Sequence, residues 1–285
     1  MALSLGIEYA SSVWYTSLIE HLTLIETKIF SSANALLAYV EGICACYPEP
    51  VVTMAAQIWS DCASADVNAL DETEEVRAVI EAIKTMSLTS YRIPEISQLA
   101  SIPRYRKLNR ARMGSSSMLC SVATLLYRMR LQEAVWPEMR FFFLALSQTT
   151  RSIAVIQDGF VVDGIARVQH EALYHDEADS DVRKLVEAAF WEGLTQDLAG
   201  LMAVHHCEDI VLLTQNEPAD MRRLHSEVID HLGDLYPCYL FPAQRDEPEG
   251  FEAALGAAII GEGLHSSGVA AEVVERLHLA HLLHL

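Results

Sequence analysis

The chain has 285 residues, of which 51% are hydrophobic, and its formal net charge is −19. This length allows two domains with sizeable cores. The negative field repels phosphate backbones and anionic lipid surfaces, so neither nucleic acid nor a membrane is an expected partner. No apolar run reaches the roughly 18 residues of a membrane span. Because Met1–Gly6 also lacks the basic start of a signal peptide, we expect a cytoplasmic protein.

The first part of the chain alternates between predicted strands and helices. Leu3–Ile7 is an apolar run typical of a buried strand. Val13–Ile19 and Leu22–Phe30 complete a three-strand meander, although Leu22–Phe30 also fits the start of a helix. Ser31–Cys46 has apolar residues at helical spacing, and Val51–Ala55 reads as a parallel strand after a Pro-Glu-Pro turn. This order predicts an α/β fold.

A second hairpin lies at the centre of the chain. Phe141–Leu146 has the continuous apolar composition of a strand that is covered on both faces. Ser147–Arg151 is a polar turn, and Ser152–Ile156 is a second β-branched run. Asp158-Gly159 is a strong hairpin signal, which predicts a third strand from Phe160.

The similarity of the two hairpins predicts two related domains. Leu3–Val13 and Phe141–Val155 share one strand-turn-strand pattern. We therefore expect domains at residues 1–139 and 140–264, and an amphipathic helix at 265–285 that docks on the body or on a partner subunit. The remaining predicted elements are helices over Val76–Met86, Ser115–Arg130, Asp181–Met202, Ala219–Leu232, Phe251–Leu264 and Val269–Leu285, and strands over Asp209–Thr214 and Tyr239–Phe241.

A basic stretch interrupts the acidic sequence. Arg104–Arg112 contains five of the chain's 20 basic residues and leads into Gly114 and Ser115 at a predicted helix start. Arginines before a helix N-terminus can bind a small anionic ligand such as phosphate or carboxylate. The alternative is that the arginines pair with surface carboxylates and that Ser115 only caps the helix.

Two histidine groups are weaker candidates for chemistry. His205–Glu208 and the series His278, His281 and His284 contain possible metal ligands, but neither group has the spacing of a known metal motif. We expect the first to lie at a helix end and the second on the polar flank of the last helix, with no metal ligand in the chain.

The order of these elements resembles the acetate and sugar kinase, heat-shock chaperone and actin (ASKHA) superfamily. The resemblance implies an α/β, two-domain, actin-like ATPase (ribonuclease H-like) fold with a nucleotide-type cleft between the domains. The matching stretches, in the family's order, are the first phosphate hairpin Gly6–Ser12, the connecting helix Gly114–Arg130, the second phosphate hairpin Leu146–Ser152, the adenosine loop Leu213–Glu217 and the second connecting helix Ala253–Leu264.

Within this superfamily the chain is most similar to uncharacterised proteins known as predicted butyrate kinases. The segments that carry this resemblance are Arg106–Arg110 followed by Met113–Ser115, together with Val161–Ile165 and Ala254–Ile260. It implies that Glu8 organises Mg²⁺ through water, and that Arg110 and Arg112 hold the acceptor or stabilise the transferred phosphoryl group. The residues implied to bind the phosphates or the nucleotide are Ser11, Ser12, Ser115, Thr149 and Thr214.

The loops depart from the family pattern in every motif. Ala10 stands where glycine is usual, and Ser147–Thr150 contains neither glycine nor carboxylate. Thr214–Asn216 lacks the glycines of the adenosine loop, and Ser117-Met118 replaces an expected Asp-Lys pair. We therefore predict a catalytically degenerate protein that serves as a structural or regulatory subunit with a protein partner or as a homo-oligomer. The alternative is an ATP-dependent phosphotransferase for a small carboxylate or sugar-like substrate, with ATP and Mg²⁺ as cofactors.

Overall fold

The computed structural model describes residues 3–10, 12–55, 74–86, 88–110, 112–146, 150–168, 180–214, 220–242 and 248–281. The chain forms two compact units. Unit 1 comprises Met1–Glu95, Ser115–Glu133 and Ala243–Leu285, and unit 2 comprises Ile96–Gly114 and Ala134–Pro242. The chain therefore passes between the units at 95/96, 114/115, 133/134 and 242/243. The sequence-based division at residues 139 and 264 follows chain order and differs from these units.

Ten strands are found in the described residues. They are β1 (Leu3–Ala10), β2 (Val13–Glu20), β3 (Thr23–Phe30), β4 (Val51–Ala55), β5 (Thr89–Arg92), β6 (Phe141–Leu146), β7 (Thr150–Gln157), β8 (Phe160–Val168), β9 (Ile210–Thr214) and β10 (Cys238–Leu240).

The same residues contain eight α-helices and two short 3-10 turns, at Ile96–Gln98 and Trp136–Glu138. The helices are α1 (Ala33–Cys46), α2 (Glu74–Thr85), α3 (Arg104–Leu108), α4 (Ser116–Leu131), α5 (Ser180–His205), α6 (Asp220–Leu232), α7 (Glu252–Gly263) and α8 (Val269–Arg276). None of the described helices is long and apolar enough to cross a bilayer.

The two units contain sheets of the same connectivity. The sheet of unit 1 has the order β3-β2-β1-β4-β5, and that of unit 2 has the order β8-β7-β6-β9-β10. In each sheet the first three strands in sequence form an antiparallel meander, and the next two extend the sheet in parallel. This duplication confirms the prediction of two related α/β halves, each of which begins with one of the two hairpins.

The apolar patterns of the sequence account for the elements. All six residues of β6 are buried, as a continuous apolar run predicts. Helix α1 begins where the Ser32 side chain accepts a hydrogen bond from the Ala35 N–H, and it buries Leu36, Val40 and Ile43 on one face. These residues pack with β1, β2 and α2 in the core of unit 1.

Helix α7 packs unusually close to its neighbours in unit 1. A Cβ added at Gly256 would overlap the carbonyl oxygen of Cys120 on α4, and one added at Gly6 on β1 would overlap the Ala254 carbonyl on α7. Ser4 on β1 donates a hydrogen bond of 2.8 Å to the Ala258 carbonyl. Glycine is required at both positions because backbone meets backbone there.

Most of the predicted elements are confirmed within a few residues. Leu22–Phe30 forms a strand rather than a helix start, since Thr23–Phe30 pairs with β2 at every residue except Ile25, where there is a bulge. The short strand β5 was not predicted, because Thr89–Arg92 carries no apolar run. The turn residues 147–149 and the loop 215–219 lie outside the described residues.

The last helix is shorter than predicted. We expected a helix over Val269–Leu285, but α8 ends at Arg276. His278 has φ +55°, and the Leu279 N–H donates to the Val274 carbonyl, which closes the helix with a left-handed cap. Leu277 and Leu279 are both buried. On a continued helix they would lie about 200° apart and therefore on opposite faces. The end of the helix lets both side chains turn towards the core.

The close packing of α7 predicts a large difference between two Gly→Ala substitutions in unit 1. Gly256→Ala should lower the free energy of unfolding by at least about 2 kcal/mol, because the added methyl group overlaps a backbone carbonyl. Gly42→Ala on α1 meets no atom within 4 Å and should raise it by up to about 1 kcal/mol through helix propensity. Urea unfolding measures both changes, and equal stabilities for the two variants would contradict this packing.

Candidate functional site

Glu8 is a buried carboxyl group near the end of the central strand of unit 1. It lies on β1 between Tyr15 of β2 and Ala55 of β4, and its residue is only 2% exposed. A strand with neighbours on both sides holds the Glu8 backbone firmly. The side chain therefore points from a rigid element into the interior of unit 1.

The first turn of α4 contacts the Glu8 carboxyl group through Ser117. Ser115 caps this helix by accepting a hydrogen bond of 3.1 Å from the Met118 N–H, and Ser117 hydrogen-bonds to Glu8. The Oε1 atom of Glu8 and the Oγ atom of Ser116 are buried without a hydrogen-bond partner among the described residues. Ser115 therefore caps α4, as the sequence predicted. Ser117, two residues further along, is the residue that hydrogen-bonds to Glu8.

Burial determines the protonation state of Glu8. Loss of solvation raises the pKa of this carboxyl group to about 8; the hydrogen bond from Ser117 opposes the rise, and the nearby charge of Glu252 adds to it. Glu252 lies at the start of α7, and burial raises its pKa as well. Glu8 is consequently mostly neutral at pH 7.

The first hairpin tip is tight and carries side chains. Ala10 pairs directly with Val13, and Ser12 between them is exposed with φ +62°. Ser11 and Thr149 lie outside the described residues. Thr214 is the last residue of β9, where it pairs with Leu146 of β6.

Unit 2 contains a buried ionic cluster that the sequence did not predict. Asp163 on β8 is 1% exposed. Its Oδ2 atom lies 3.0 Å from Nε2 of His205, 3.2 Å from a terminal nitrogen of Arg110 and 3.8 Å from Nε of Arg106. Its Oδ1 atom accepts a hydrogen bond of 2.8 Å from the Gly164 N–H.

These partners keep Asp163 ionised. Burial by itself raises the pKa of Asp163, but the hydrogen bonds from His205 and Gly164 and the charges of Arg110 and Arg106 outweigh it, so the net pKa is lowered. His205 is the last residue of α5 and is buried. The helix end predicted near His205–Glu208 is therefore present. Among the described residues, no group of three or more His, Cys, Asp or Glu side chains could hold a metal ion.

The basic stretch lies along β8. Arg106 also donates to the Val162 carbonyl at 2.7 Å, and Lys107 donates to the Leu99 carbonyl at 2.7 Å. The Arg112 carbonyl accepts a hydrogen bond from the Ala166 N–H. Arg110 and Arg106 thus pair with a carboxylate, as the alternative expected, but this carboxylate is buried rather than on the surface. Asp163 lies within the Val161–Ile165 stretch used for the family resemblance. Its contacts with Arg110 and His205 could not be predicted from the sequence, because these residues are far apart along the chain.

The predicted site residues are divided between the two units. Glu8 and Ser115 belong to unit 1, and the Ser115 helix contacts Glu8. Arg110 and Arg112 belong to unit 2, where Arg110 contacts Asp163. The sequence missed Glu252, which influences Glu8 from α7, and Asp163 with His205.

Comparison with known proteins identifies the fold but no activity. Residues 47–175 match the model of a family described as "Protein of unknown function (DUF1464)". No curated protein sequence matches the chain.

Solved structures support the fold assignment. The PilM–PilN type IV pilus biogenesis complex matches with a TM-score of 0.54 and 13% identity, over 90% of this chain and 98% of that chain. A proposed N-acetylmannosamine kinase from Listeria monocytogenes matches with a TM-score of 0.51 and 10% identity, over 93% and 100%. Two mixed five-stranded sheets of equal connectivity, with their helices, give this chain the actin-like ATPase fold.

The raised pKa of Glu8 predicts a specific pH dependence of stability. The protonated group contributes stability that is fully present below its ordinary pKa of 4.5 and is lost as pH rises to about 8. Within this window the unfolding free energy should fall by up to about 1.4 kcal/mol per pH unit from this group. Glu8→Gln should remove this component, because glutamine stays neutral. Urea unfolding at several pH values measures the difference between the two proteins.

The control for Glu8→Gln is Glu41→Gln on the exposed face of α1. This substitution also removes one carboxylate from the acidic chain, but it leaves the buried group in place. Its pH profile should keep the slope of the unmodified protein. Parallel profiles for Glu8→Gln and the unmodified protein would show that Glu8 is ionised in the folded state.

The ionic cluster predicts that Asp163 is a major stabilising residue of unit 2. Asp163→Asn should lower the unfolding free energy by about 3 kcal/mol, because Arg106 and Arg110 lose the buried charge that they share. Arg167→Gln is a suitable control, since its side chain is 58% exposed and its pair with Asp197 should contribute less than about 1 kcal/mol. Chemical unfolding compares them, and equal effects would contradict this role.

Proposed function

We propose that this chain is a non-catalytic protein of the actin-like ATPase fold that acts as a structural or regulatory subunit. The observation that carries the proposal is the state of Glu8. This residue occupies the position at which the resemblance implies a carboxylate that organises Mg²⁺. It is 2% exposed, and burial raises its pKa to about 8.

A neutral, buried Glu8 does not fit Mg²⁺ with a nucleotide. Magnesium is bound in proteins by ionised carboxylates and water, and it keeps several of its own waters. Both requirements need an exposed anion near the hairpin tip. Ionising Glu8 next to Glu252 costs free energy, and one Glu8 oxygen is already used by Ser117.

The arginine cluster supports the same proposal. In a phosphotransferase, Arg110 would have to face the acceptor or the transferred phosphoryl group. Here Arg110 lies 3.2 Å from Asp163, and a ligand would have to compete with that buried carboxylate. Withdrawal of Arg110 would leave Asp163 with less compensation for its burial.

A role as a subunit also agrees with one similar structure. PilM, to which this chain is similar at the level of the fold, is found in a complex with PilN that is described as a type IV pilus biogenesis complex. The fold is thus used for assembly between proteins as well as for phosphoryl transfer.

The second candidate is an ATP-dependent phosphotransferase similar to the predicted butyrate kinases. One observation favours it: a carboxyl group with a pKa near neutrality, beside a helix N-terminus, is suited to proton transfer at physiological pH. In that reading the substrate is a small carboxylate or a sugar-like molecule, and Glu8 is essential.

The non-catalytic proposal predicts very weak nucleotide binding. Calorimetric titration of ATP with Mg²⁺ should give a dissociation constant on the order of 1 mM or weaker, because Glu8 supplies no charge for the metal. Glu8→Gln should leave this weak binding unchanged, since glutamine resembles the protonated side chain. Ser12→Ala, at the exposed hairpin tip, should also leave the dissociation constant unchanged. A weaker constant for this variant would indicate a direct contact between Ser12 and a phosphate.

A micromolar dissociation constant for any nucleotide would overturn the proposal. So would phosphate transfer to a short carboxylic acid that Glu8→Gln abolishes while the variant stays folded. Either result would establish the phosphotransferase as the function.

A further inference from the structure

Strand β3 forms an accessible edge of the sheet in unit 1. Among the described residues, β3 pairs only with β2, so one side of this eight-residue strand has no strand neighbour. Such an edge offers main-chain donors and acceptors to another strand. Ile25 and Ile29 on β3 are 47% and 56% exposed, which leaves apolar surface at the same edge.

Alternate residues in the middle of β3 direct their N–H and C=O groups away from β2. The Thr16 hydroxyl of β2 donates to the Lys28 carbonyl at 3.3 Å, so that carbonyl faces β2. In an extended antiparallel strand, successive residues direct their N–H and C=O groups to opposite sides. The peptide groups of Thr27 and Ile29 therefore face outwards, where a further strand would bind.

The sequence of β3 is chemically symmetric about Thr27. It reads Leu24-Ile25-Glu26-Thr27-Lys28-Ile29-Phe30, with one charged and then two apolar residues on either side of the threonine. The two charges are opposite. If two copies of this strand pair antiparallel with Thr27 at the centre, Glu26 of one copy faces Lys28 of the other. Ile25 then faces Ile29, and Leu24 faces Phe30.

We propose that β3 pairs antiparallel with β3 of a second copy of this chain. The two five-stranded sheets then form one ten-stranded sheet across a twofold axis at Thr27. Thr27 and its symmetry mate exchange N–H···O=C bonds. The Glu26–Lys28 pairs lie at non-hydrogen-bonded positions, where opposite side chains are closest.

Charge complementarity identifies the occupant of this edge as a second copy. The chain carries a net charge of −19, so two copies repel each other over most of their surface. Lys28 is the only Lys or Arg in residues 1–76. It stands on the exposed edge strand, two positions from a glutamate that it contacts at 2.8 Å. In the paired arrangement these two ion pairs become a network of four charges.

A bulge limits the regular part of the pairing. The register of β3 against β2 shifts beside Leu18 and Ile19, which leaves Ile25 without a direct partner on β2. Extra twist at this end can keep unrelated strands away from the edge. The regular segment Glu26–Phe30 contains Thr27 and both charged residues, so it carries the pairing. This proposal does not depend on whether the protein binds a nucleotide.

Charge reversal tests the proposal. Light scattering and sedimentation over a range of concentrations should show that the unmodified protein dimerises. Glu26→Lys alone and Lys28→Glu alone should each raise the dimer dissociation constant roughly tenfold or more, because two attractive pairs become two like-charge pairs. A mixture of the two single variants should form heterodimers, in which every charge again meets its opposite. The double variant should dimerise like the unmodified protein.

Two further variants complete the experiment. Glu41→Lys on the exposed face of α1 alters the net charge as Glu26→Lys does, and it should leave the dimer intact. Thr27→Pro removes an outward-facing N–H and costs no hydrogen bond to β2, so it should give a folded monomer. Circular dichroism melting establishes whether each variant is folded. If a charge variant is unfolded, the oligomeric state of folded Thr27→Pro tests the proposal instead.

A protein that stays monomeric up to its solubility limit would overturn the proposal. A dimer that survives both single charge reversals, or folded variants that remain monomeric when mixed, would do the same.

Discussion

The backbone of α7 reaches the backbones of β1 and α4, and much of unit 1 depends on this close approach. Gly6 and Gly256 leave no room for a side chain at the two contacts. A helix rich in glycine and alanine can come this near because its own side chains add little width. Glu8 on β1 is buried in the same region, beside Ser117 of α4 and close to Glu252 of α7.

Each unit contains a buried carboxyl group, and the pKa values of these two groups are shifted in opposite directions. Glu8 has one hydroxyl donor and a neighbouring carboxyl group, and its pKa is raised. Asp163 is also shielded from solvent, but it has a histidine, a backbone N–H and two arginines beside it, and its pKa is lowered. Burial dominates at Glu8, whereas hydrogen-bond donors and positive charges outweigh burial at Asp163. Unit 2 therefore contains an ionised cluster with a structural role, whereas unit 1 keeps a neutral acid where the fold resemblance implied a charged one.

Local patterns in the sequence were sufficient for most of the fold. Continuous apolar runs such as Phe141–Leu146 and the helical spacing of Ser31–Cys46 are determined by neighbours in sequence, and both elements are present. The site depended on contacts across long distances in sequence, such as Asp163 with His205 and Arg110, and no local spacing encodes these. The helix end at Arg276 was missed because it follows from burying both Leu277 and Leu279. The sequence placed Glu8 in the turn that follows Leu3–Ile7, whereas β1 continues to Ala10 and includes it. Its protonation follows from burial and from Ser117 and Glu252, which are distant in sequence.

Unit 1 begins first during translation, but unit 2 is the first unit to have all its residues. Ser4 on the first strand bonds to Ala258, 254 residues later. At translation rates of 5–20 residues per second, roughly 10–50 s separate the two. Unit 2 lies between them and has all its residues by Pro242, before α7 is made. The N-terminal sheet thus emerges first, and the apolar face that α7 covers stays exposed until α7 has been made. Nascent chains and C-terminally truncated fragments consequently expose this face, which makes them substrates for chaperones and prone to aggregation.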